Sequence, residues 1–225
     1  MKNKHLVFLI IILVLVLDQW SKIHIKLNYP IGLIKDLGFI DLYFIENEGM
    51  AWGMKFGGDI GKIILTLFRV VALFFIAKII NNLLKNLAPK LMLIAFALIF
   101  VGAMGNIFDS VFYGYLFSGS HYHTAATFLP EEGGYAPFLM GHVVDMIHFS
   151  VRWPIWVPYF GGSEVFPPIF NIADAAITGG VGLLILKQKT FFNSDSGFTI
   201  MGEKQEKKQQ KLTEDMNQTS AEESE

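Results

Sequence analysis

Two asparagine–aspartate pairs lie in apolar stretches of this chain. Asn106 and Asp109 are three residues apart in GNIFD, and Asn171 and Asp174 have the same spacing in FNIAD. Positions i and i+3 share one face of a helix, so each amide can hold its neighbouring carboxylate. Carboxylates are costly in apolar helices, by about 2.5–3.5 kcal/mol at the centre of a membrane span, so their presence indicates a function.

Two further acids have apolar neighbours. Asp18 interrupts the first apolar stretch and has Lys22 four residues later, the spacing of an ion pair on one helix face. Asp145 lies in the run VVDMI. Acids that share a site cannot all ionise readily, so one keeps its proton. An ionised carboxylate can then activate water while a protonated one polarises a peptide carbonyl.

Four apolar segments must position these acids. The chain has 225 residues, of which 52% are hydrophobic and 17% charged, against about 25% charged in soluble domains. Eighteen helical residues span about 27 Å, close to the hydrocarbon thickness of a bilayer. The sequence therefore predicts a mainly α integral membrane protein with four transmembrane helices, at about 6–25, 63–80, 91–108 and 169–186.

The connections predict the rest of the fold. Alternating residues between the first two helices predict a small extramembrane β-sheet, and a long outer loop joins helices three and four. Basic residues near both ends and between helices two and three predict cytoplasmic termini. The predicted membrane domain is 1–192, and 193–225 is a polar tail that we expect to be disordered. The near-neutral body excludes nucleic-acid binding, and the absence of Cys excludes thiolate chemistry.

This topology leaves two functions open. All four acids fall toward the outer side of the membrane, which favours a hydrolase with a carboxylate pair near that surface. A proton-coupled transporter also uses intramembrane carboxylates, although transporters place substrate near the midplane. No HExxH, GxSxG or glycine-rich phosphate loop is present in the sequence.

Five sequence blocks occur in an order that resembles a known family. They are DQWSK from Asp18, NEGMAWG from Asn47, GNIFD from Gly105, VVDMI from Val143 and FNIAD from Phe170. Together they are similar to the motif blocks of the bacterial lipoprotein signal peptidases, also called signal peptidase II. The resemblance covers about Leu6 to Leu186.

The resemblance implies a membrane aspartyl endopeptidase that cuts prolipoproteins before a diacylglyceryl-modified Cys. It places the catalytic pair on Asp145 and Asp174. Supporting or substrate-binding roles fall on Asp18, Lys22, Asn47, Gly49, Asn106, Asp109 and Asn171. It implies a monomer in the cytoplasmic (inner) membrane, with the active site near the outer face. Lipid-modified prolipoproteins and membrane lipids are its partners, and it needs no metal or cofactor.

Two features depart from the family pattern. Ser110 occupies the position after Asp109 where the family usually has Arg. We hypothesise that Arg152, the only basic residue between Asp109 and Asp174, supplies that cation. The segment 115–142 is additional, since the family has only a few residues between the blocks that end at Asp109 and begin at Val143.

Overall fold

Three long helices dominate the structure, a computed structural model that describes residues 3–48 and 58–192. They are α1 (Asn3–Asn28), α2 (Gly58–Lys85) and α3 (Lys90–Phe108). A π-helical turn (Asp109–Tyr113) and the short helix α4 (Gly114–Leu116) extend α3. Each of these three helices is long and apolar enough to cross a membrane, which confirms the prediction of long apolar helices in these three segments.

The fourth predicted helix begins later than expected. Helix α5 is Ile172–Leu186, 15 residues, and the short helix α6 (Gln188–Phe192) follows it. The prediction of helix over 169–171 is wrong because Pro167 and Pro168 favour extended backbone before that point. Asn171 then caps the helix with its side chain. At 1.5 Å per residue, α5 is about 22 Å long.

An antiparallel sheet lies at one end of the helices, called here the sheet end. Its strands are β1 (Gly32–Asp36), β2 (Ile40–Asn47), β3 (Val143–Arg152) and β4 (Glu164–Phe170), in that spatial order. The first connection supplies two strands, as predicted. The second connection is not simply a long loop, because it supplies the other two. The prolines of β4 are tolerated because β4 is an edge strand, where amide donors can be missing.

Helix α3 is the centre of the bundle and packs against α1, α2 and α5. Its approach to α5 depends on Gly102, where an added Cβ would lie 2.3 Å from the Ala173 carbonyl oxygen. At Gly105 an added Cβ would lie 2.6 Å from Asp18 Oδ2. These contacts bring the backbones of α3 and α5 together, so polar side chains on both helices and on α1 can meet.

The additional segment 115–142 packs on the sheet end of the helices. Its backbone bonds the π-helical turn, where Gly141 N–H donates to the Ser110 carbonyl at 2.8 Å. It also bonds α1, where Ala126 N–H donates to the Lys26 carbonyl at 3.1 Å. Its Phe117 joins an apolar core between α1 and the sheet. The segment thus connects α1, α3 and the sheet around the polar residues described next.

Candidate active site

Asp145 lies on β3 beside the end of β2 and is 2% exposed. Asn171 Nδ2–H donates to Asp145 Oδ1 at 2.7 Å. On the other side, Asn47 Nδ2–H donates to Oδ2 at 3.3 Å. Residues from β2 and from the start of α5 therefore fix the orientation of this carboxyl group.

Asp174 is part of the helix cap that starts α5. Asn171 Oδ1 accepts from the Asp174 amide at 2.9 Å, and Asp174 Oδ2 accepts from the Asn171 amide at 3.3 Å. This reciprocal arrangement is a capping box with Asp in place of the usual Glu or Gln. Asn106 Nδ2–H donates to the other oxygen, Oδ1, at 2.7 Å. The asparagine–aspartate spacing seen in the sequence therefore has a structural explanation in α5.

Two amides link the two carboxyl groups. Asn171 Nδ2–H donates to Asp145 and also approaches Asn106 Oδ1 at 3.2 Å, while Asn106 donates to Asp174. Each amide has its acceptor oxygen occupied by a donor and its amino group directed at a carboxylate. The order of donors and acceptors leaves each amide with one favourable orientation.

Lys22 supports this arrangement from α1 and is fully buried. Its Nζ lies 2.9 Å from Asp18 Oδ2, 2.7 Å from Asp109 Oδ2 and 2.9 Å from Asn106 Oδ1. An ammonium group has three donors, and three acceptors surround it here. Lys22 therefore balances two buried acids and at the same time orients the Asn106 amide toward Asp174.

Gln19 and the backbone of α5 complete the network. Gln19 Nε2–H donates to Asp109 Oδ1 at 2.8 Å, and its Oε1 accepts from the Tyr113 hydroxyl at 3.1 Å. Asp18 Oδ1 accepts from the Ala173 amide, near the start of α5, at 2.9 Å. The predicted ion pair of α1 thus bonds α5 directly, across 155 positions of sequence.

The environment of Asp145 changes its acidity. Burial raises the pKa of Asp145 to about 7, and the negative charge of Asp174 contributes to the rise. The amides of Asn47 and Asn171 act in the opposite direction but do not offset burial. Asp145 can therefore hold a proton near neutral pH, as one member of a carboxyl pair must.

The structure brings most of the predicted site residues into this single network. They are Asp18, Lys22, Asn47, Asn106, Asp109, Asp145, Asn171 and Asp174. Gly49 lies outside the described residues. The structure does not bring Arg152 to the site: its side chain is 65% exposed and lies 3.5 Å from Glu164. Lys22, not Arg152, contacts Asp109, and the Ser110 hydroxyl bonds the Asn106 carbonyl at 2.9 Å.

A second buried polar cluster was missed by sequence reasoning. Lys26, one helical turn beyond Lys22, forms an ion pair with Glu46 on β2, and neither residue had been singled out. Ser120 donates to Glu46 at 2.9 Å, and His142 Nδ1 lies 3.4 Å from Glu46 Oε2. Two of the four residues come from the additional segment. The i+4 spacing of Lys22 and Lys26 was the signal that could have revealed this continuation of the buried face.

The site has no obvious metal-binding set. Within residues 3–48 and 58–192, no three His, Asp or Glu side chains are grouped so that they could hold a metal ion. The network consists instead of carboxyl groups, side-chain amides and a buried ammonium group.

Comparison with known proteins identifies the family. The model of the family described as Signal peptidase (SPase) II, Peptidase_A8, matches residues 10–190. The chain belongs to the signal peptidase II family. It is therefore a peptidase of the aspartic type, and this membership decides against the transporter.

Individual relatives agree with the family match. A "Lipoprotein signal peptidase" of Porphyromonas gingivalis (strain ATCC 33277) is 39% identical over 184 residues, which cover 79% of this chain and 80% of that protein. One from Amoebophilus asiaticus is 36% identical over 80% of this chain and 76% of its own length. A bacterial membrane enzyme solved by the in meso method has a TM-score of 0.52 at 27% identity, with 84% and 92% of the chains covered. The signal peptidase described here is accordingly a multi-pass bacterial membrane enzyme.

Proposed function

We propose that Asp145 and Asp174 are the carboxyl pair with which this enzyme cleaves the signal peptides of prolipoproteins. The amide bridge of Asn171 and Asn106, which holds one oxygen of each acid at 2.7 Å, is the observation that carries the proposal. Such a bridge fixes the spacing and orientation of two groups that must act together on one peptide bond. A purely structural role would not require both acids to be held in this way.

The two acids have different roles in the proposed reaction. Asp174 takes a proton from a water molecule, whose oxygen attacks the scissile carbonyl carbon. Asp145 gives its proton to the carbonyl oxygen, which becomes the second hydroxyl of a tetrahedral intermediate. The carbon–nitrogen bond then breaks as the nitrogen receives the proton held by Asp174, and a hydroxyl proton returns to Asp145. One water is consumed, and both carboxyl groups recover their initial states.

The raised pKa of Asp145 supports this assignment of roles. Among the residues that the structure describes, Oδ2 accepts only the long 3.3 Å contact from Asn47, so this oxygen is the one that we assign the catalytic proton. Asp174 accepts at both oxygens, from Asn106 and from the Asn171 backbone, and serves as the base.

The orientation that we propose for the enzyme in the membrane indicates how the substrate binds. The sheet end lies at the outer face of the bacterial cytoplasmic membrane, both termini are cytoplasmic, and α5 is the fourth span. A diacylglyceryl group on the substrate Cys stays in the outer leaflet and holds the preceding peptide bond beside Asp145 and Asp174. The enzyme acts as a monomer, because both carboxyl groups belong to one chain, and uses no metal or cofactor.

The experiment is cleavage of a lipid-modified prolipoprotein by purified variants. Asp145→Asn and Asp174→Asn should each lower kcat at least 10³-fold. The two acids act as one catalytic unit, so the loss of either one costs about as much activity as the loss of both. Asp36→Asn is the matched control, since exposed Asp36 accepts a turn hydrogen bond from the Gly38 amide, which Asn can keep.

Thermal unfolding in detergent must accompany the assay because Asp174→Asn also changes the helix cap. A folded Asp145→Asn enzyme with activity within tenfold of the parent would overturn the assignment. Normal cleavage of a substrate whose Cys lacks lipid would overturn the substrate placement but not the catalytic pair.

A further inference from the structure

The tip of the β3–β4 hairpin, residues 153–163, presents apolar side chains to the outside; we call it the arm. Its sequence, WPIWVPYFGGS, contains no charged residue. Ile155 is 90% exposed, Trp156 is 82% exposed and Tyr159 is fully exposed. An aqueous loop of this length is normally rich in small polar residues, so this composition indicates contact with something apolar.

Backbone hydrogen bonds hold the arm in a closed conformation. Trp153 N–H donates to the Ser163 carbonyl at 2.9 Å, and Gly162 N–H donates back to the Trp153 carbonyl at 2.9 Å. Within the loop, Gly161 N–H donates to the Val157 carbonyl at 2.9 Å. The exposed side chains are therefore presented by an ordered turn, in which several backbone amides are bonded within the loop.

A strip of aromatic rings joins the arm to the start of α5. Phe170 precedes the α5 cap, and its ring lies 5.3 Å from that of Phe149 and 5.9 Å from that of Phe166. At the arm, the rings of Trp153 and Phe160 are 6.4 Å apart. Aromatic side chains thus lie at both ends of this part of the sheet, in one group near the start of α5 and in a second group at the tip.

This strip lies on the same side of β3 as Asp145. Residues alternate between the two faces of a regular strand, so Asp145 and Phe149 share one face; the pairing of β3 with β4 is irregular after Phe149. The opposite face carries Val144 and Met146, which are buried in the core between α1 and the sheet. Phe149 and Val151 are 37% and 41% exposed, so this part of the strand is only partly covered by the described residues, in contrast to Asp145.

We infer that the arm docks in the interfacial region of the same bilayer that the helices cross. Trp and Tyr prefer this region, where a ring can be apolar on one side and hydrated on the other. Arg152, at the base of the arm, is 65% exposed and suits the level of lipid phosphates. The arm lies about 25 Å along the strand from Asp145. Its attachment to the bilayer at that distance keeps the Asp145 face of the sheet turned toward the membrane.

Depth-dependent fluorescence quenching tests this docking. In a Trp20→Phe, Trp52→Phe, Trp153→Phe background, Trp156 is the only indole and reports the position of the arm. Two reporter variants serve as controls, and each has one new Trp in a background from which Trp156 has also been removed by Trp156→Phe. Phe68→Trp, at an exposed position within α2, marks the bilayer interior, and Tyr122→Trp, at an exposed position in the additional segment, marks water. All are reconstituted in phosphatidylglycerol–phosphatidylethanolamine vesicles with spin-labelled lipids, and aqueous iodide is the second quencher.

Trp156 should be quenched by lipids labelled at the headgroup or at a shallow acyl position. Its Stern–Volmer constant for iodide should be at least threefold below that of Tyr122→Trp. An iodide constant equal to that of Tyr122→Trp, without quenching by labelled lipid, would overturn the docking. Quenching of Trp156 by neither reagent would also overturn it, because a protein partner or another part of the chain would then cover the arm. The readout is independent of which carboxyl groups catalyse, so it can fail while the proposed function stands.

Discussion

Replacement of Lys22 by Met tests the central electrostatic feature of the site. Met has a similar length and apolar stem but no donors, so the substitution removes three contacts at once. Asp18 and Asp109, which are 1% and 0% exposed, would then face one another without a cation. Asn106 would also lose the donor that fixes its amide orientation.

We expect Lys22→Met to lower both the folding stability and the activity of the enzyme. Removing one partner of a buried ion pair destabilises a protein by about 3–5 kcal/mol, because the remaining charge is neither solvated nor compensated. A triple variant, Lys22→Met with Asp18→Asn and Asp109→Asn, removes the uncompensated charges and should recover at least half of that free energy. It should not recover activity, because the Asn106 oxygen loses its 2.9 Å ammonium donor and keeps only the longer 3.2 Å contact from Asn171 to hold the amide toward Asp174.

Unfolding of the purified enzyme in an SDS titration gives the stability difference, and prolipoprotein cleavage gives kcat. Lys78→Met is the matched control: Lys78 is an exposed lysine on α2 whose ammonium lies over the Phe74 ring, and its loss should cost less than about 1 kcal/mol. A loss of stability for Lys22→Met no larger than that of the control would refute the electrostatic account. Parental activity in the folded triple variant would refute the positioning role of Lys22.

Three further predictions concern other parts of the molecule. Because the pKa of Asp145 is raised to about 7, its proton is present below that pH and lost above it, so kcat/KM should fall about tenfold per pH unit on the alkaline side; a constant value up to pH 9 would contradict this. Burial alone would raise the pKa of Glu46, but hydrogen bonding and the nearby ammonium of Lys26 lower it from 4.5 to about 2. The shift corresponds to roughly 3 kcal/mol of folding stability. This contribution is complete above about pH 4.5 and is lost as the pH falls toward 2. Glu46→Gln should therefore lower the melting temperature at pH 7, with a difference from the parent that narrows below pH 4.5; a constant difference would count against the ion pair. Gly102→Ala should cost about 1–3 kcal/mol because its Cβ would meet the backbone of α5, whereas Gly179→Ala, with open space around it, should change thermal unfolding little; equal effects would contradict the close helix approach.

Hydropathy and spacing predicted the long helices well, since membrane spans depend mainly on length and composition. The second half of the sheet was harder to find. Asp145 lies in a run whose apolar residues do not alternate with polar ones, because one side of β3 packs in the core and the other is apolar as well. A run of this kind does not distinguish a strand from a loop segment near a membrane. Likewise, only the capping geometry places the start of α5 at Asn171 and not at Ile169.

For the site as well, contacts within one helix could be predicted from the sequence, whereas contacts between helices could not. Ion pairs and amide–acid pairs at i+3 and i+4 were visible in sequence, because one helix turn brings their members together. The contacts that join α1 to α3 and α5 were not, since they depend on glycines that permit close backbone approach. The Arg152 hypothesis did not anticipate that Lys22, already assigned to Asp18, reaches Asp109 as well.

The bond from the Ala173 amide to Asp18 has a consequence for biogenesis. Asp18 precedes α5 by more than 150 residues, so it leaves the ribosome well before α5 is synthesised. Until α5 arrives, Asp18 lacks this donor, Asn106 lacks Asp174, and Asp145 lacks Asn171. A nascent or truncated chain that ends before α5 therefore lacks the assembled candidate site. The network of acids and amides is therefore completed by the part of the chain that is synthesised late, after α1 and α3.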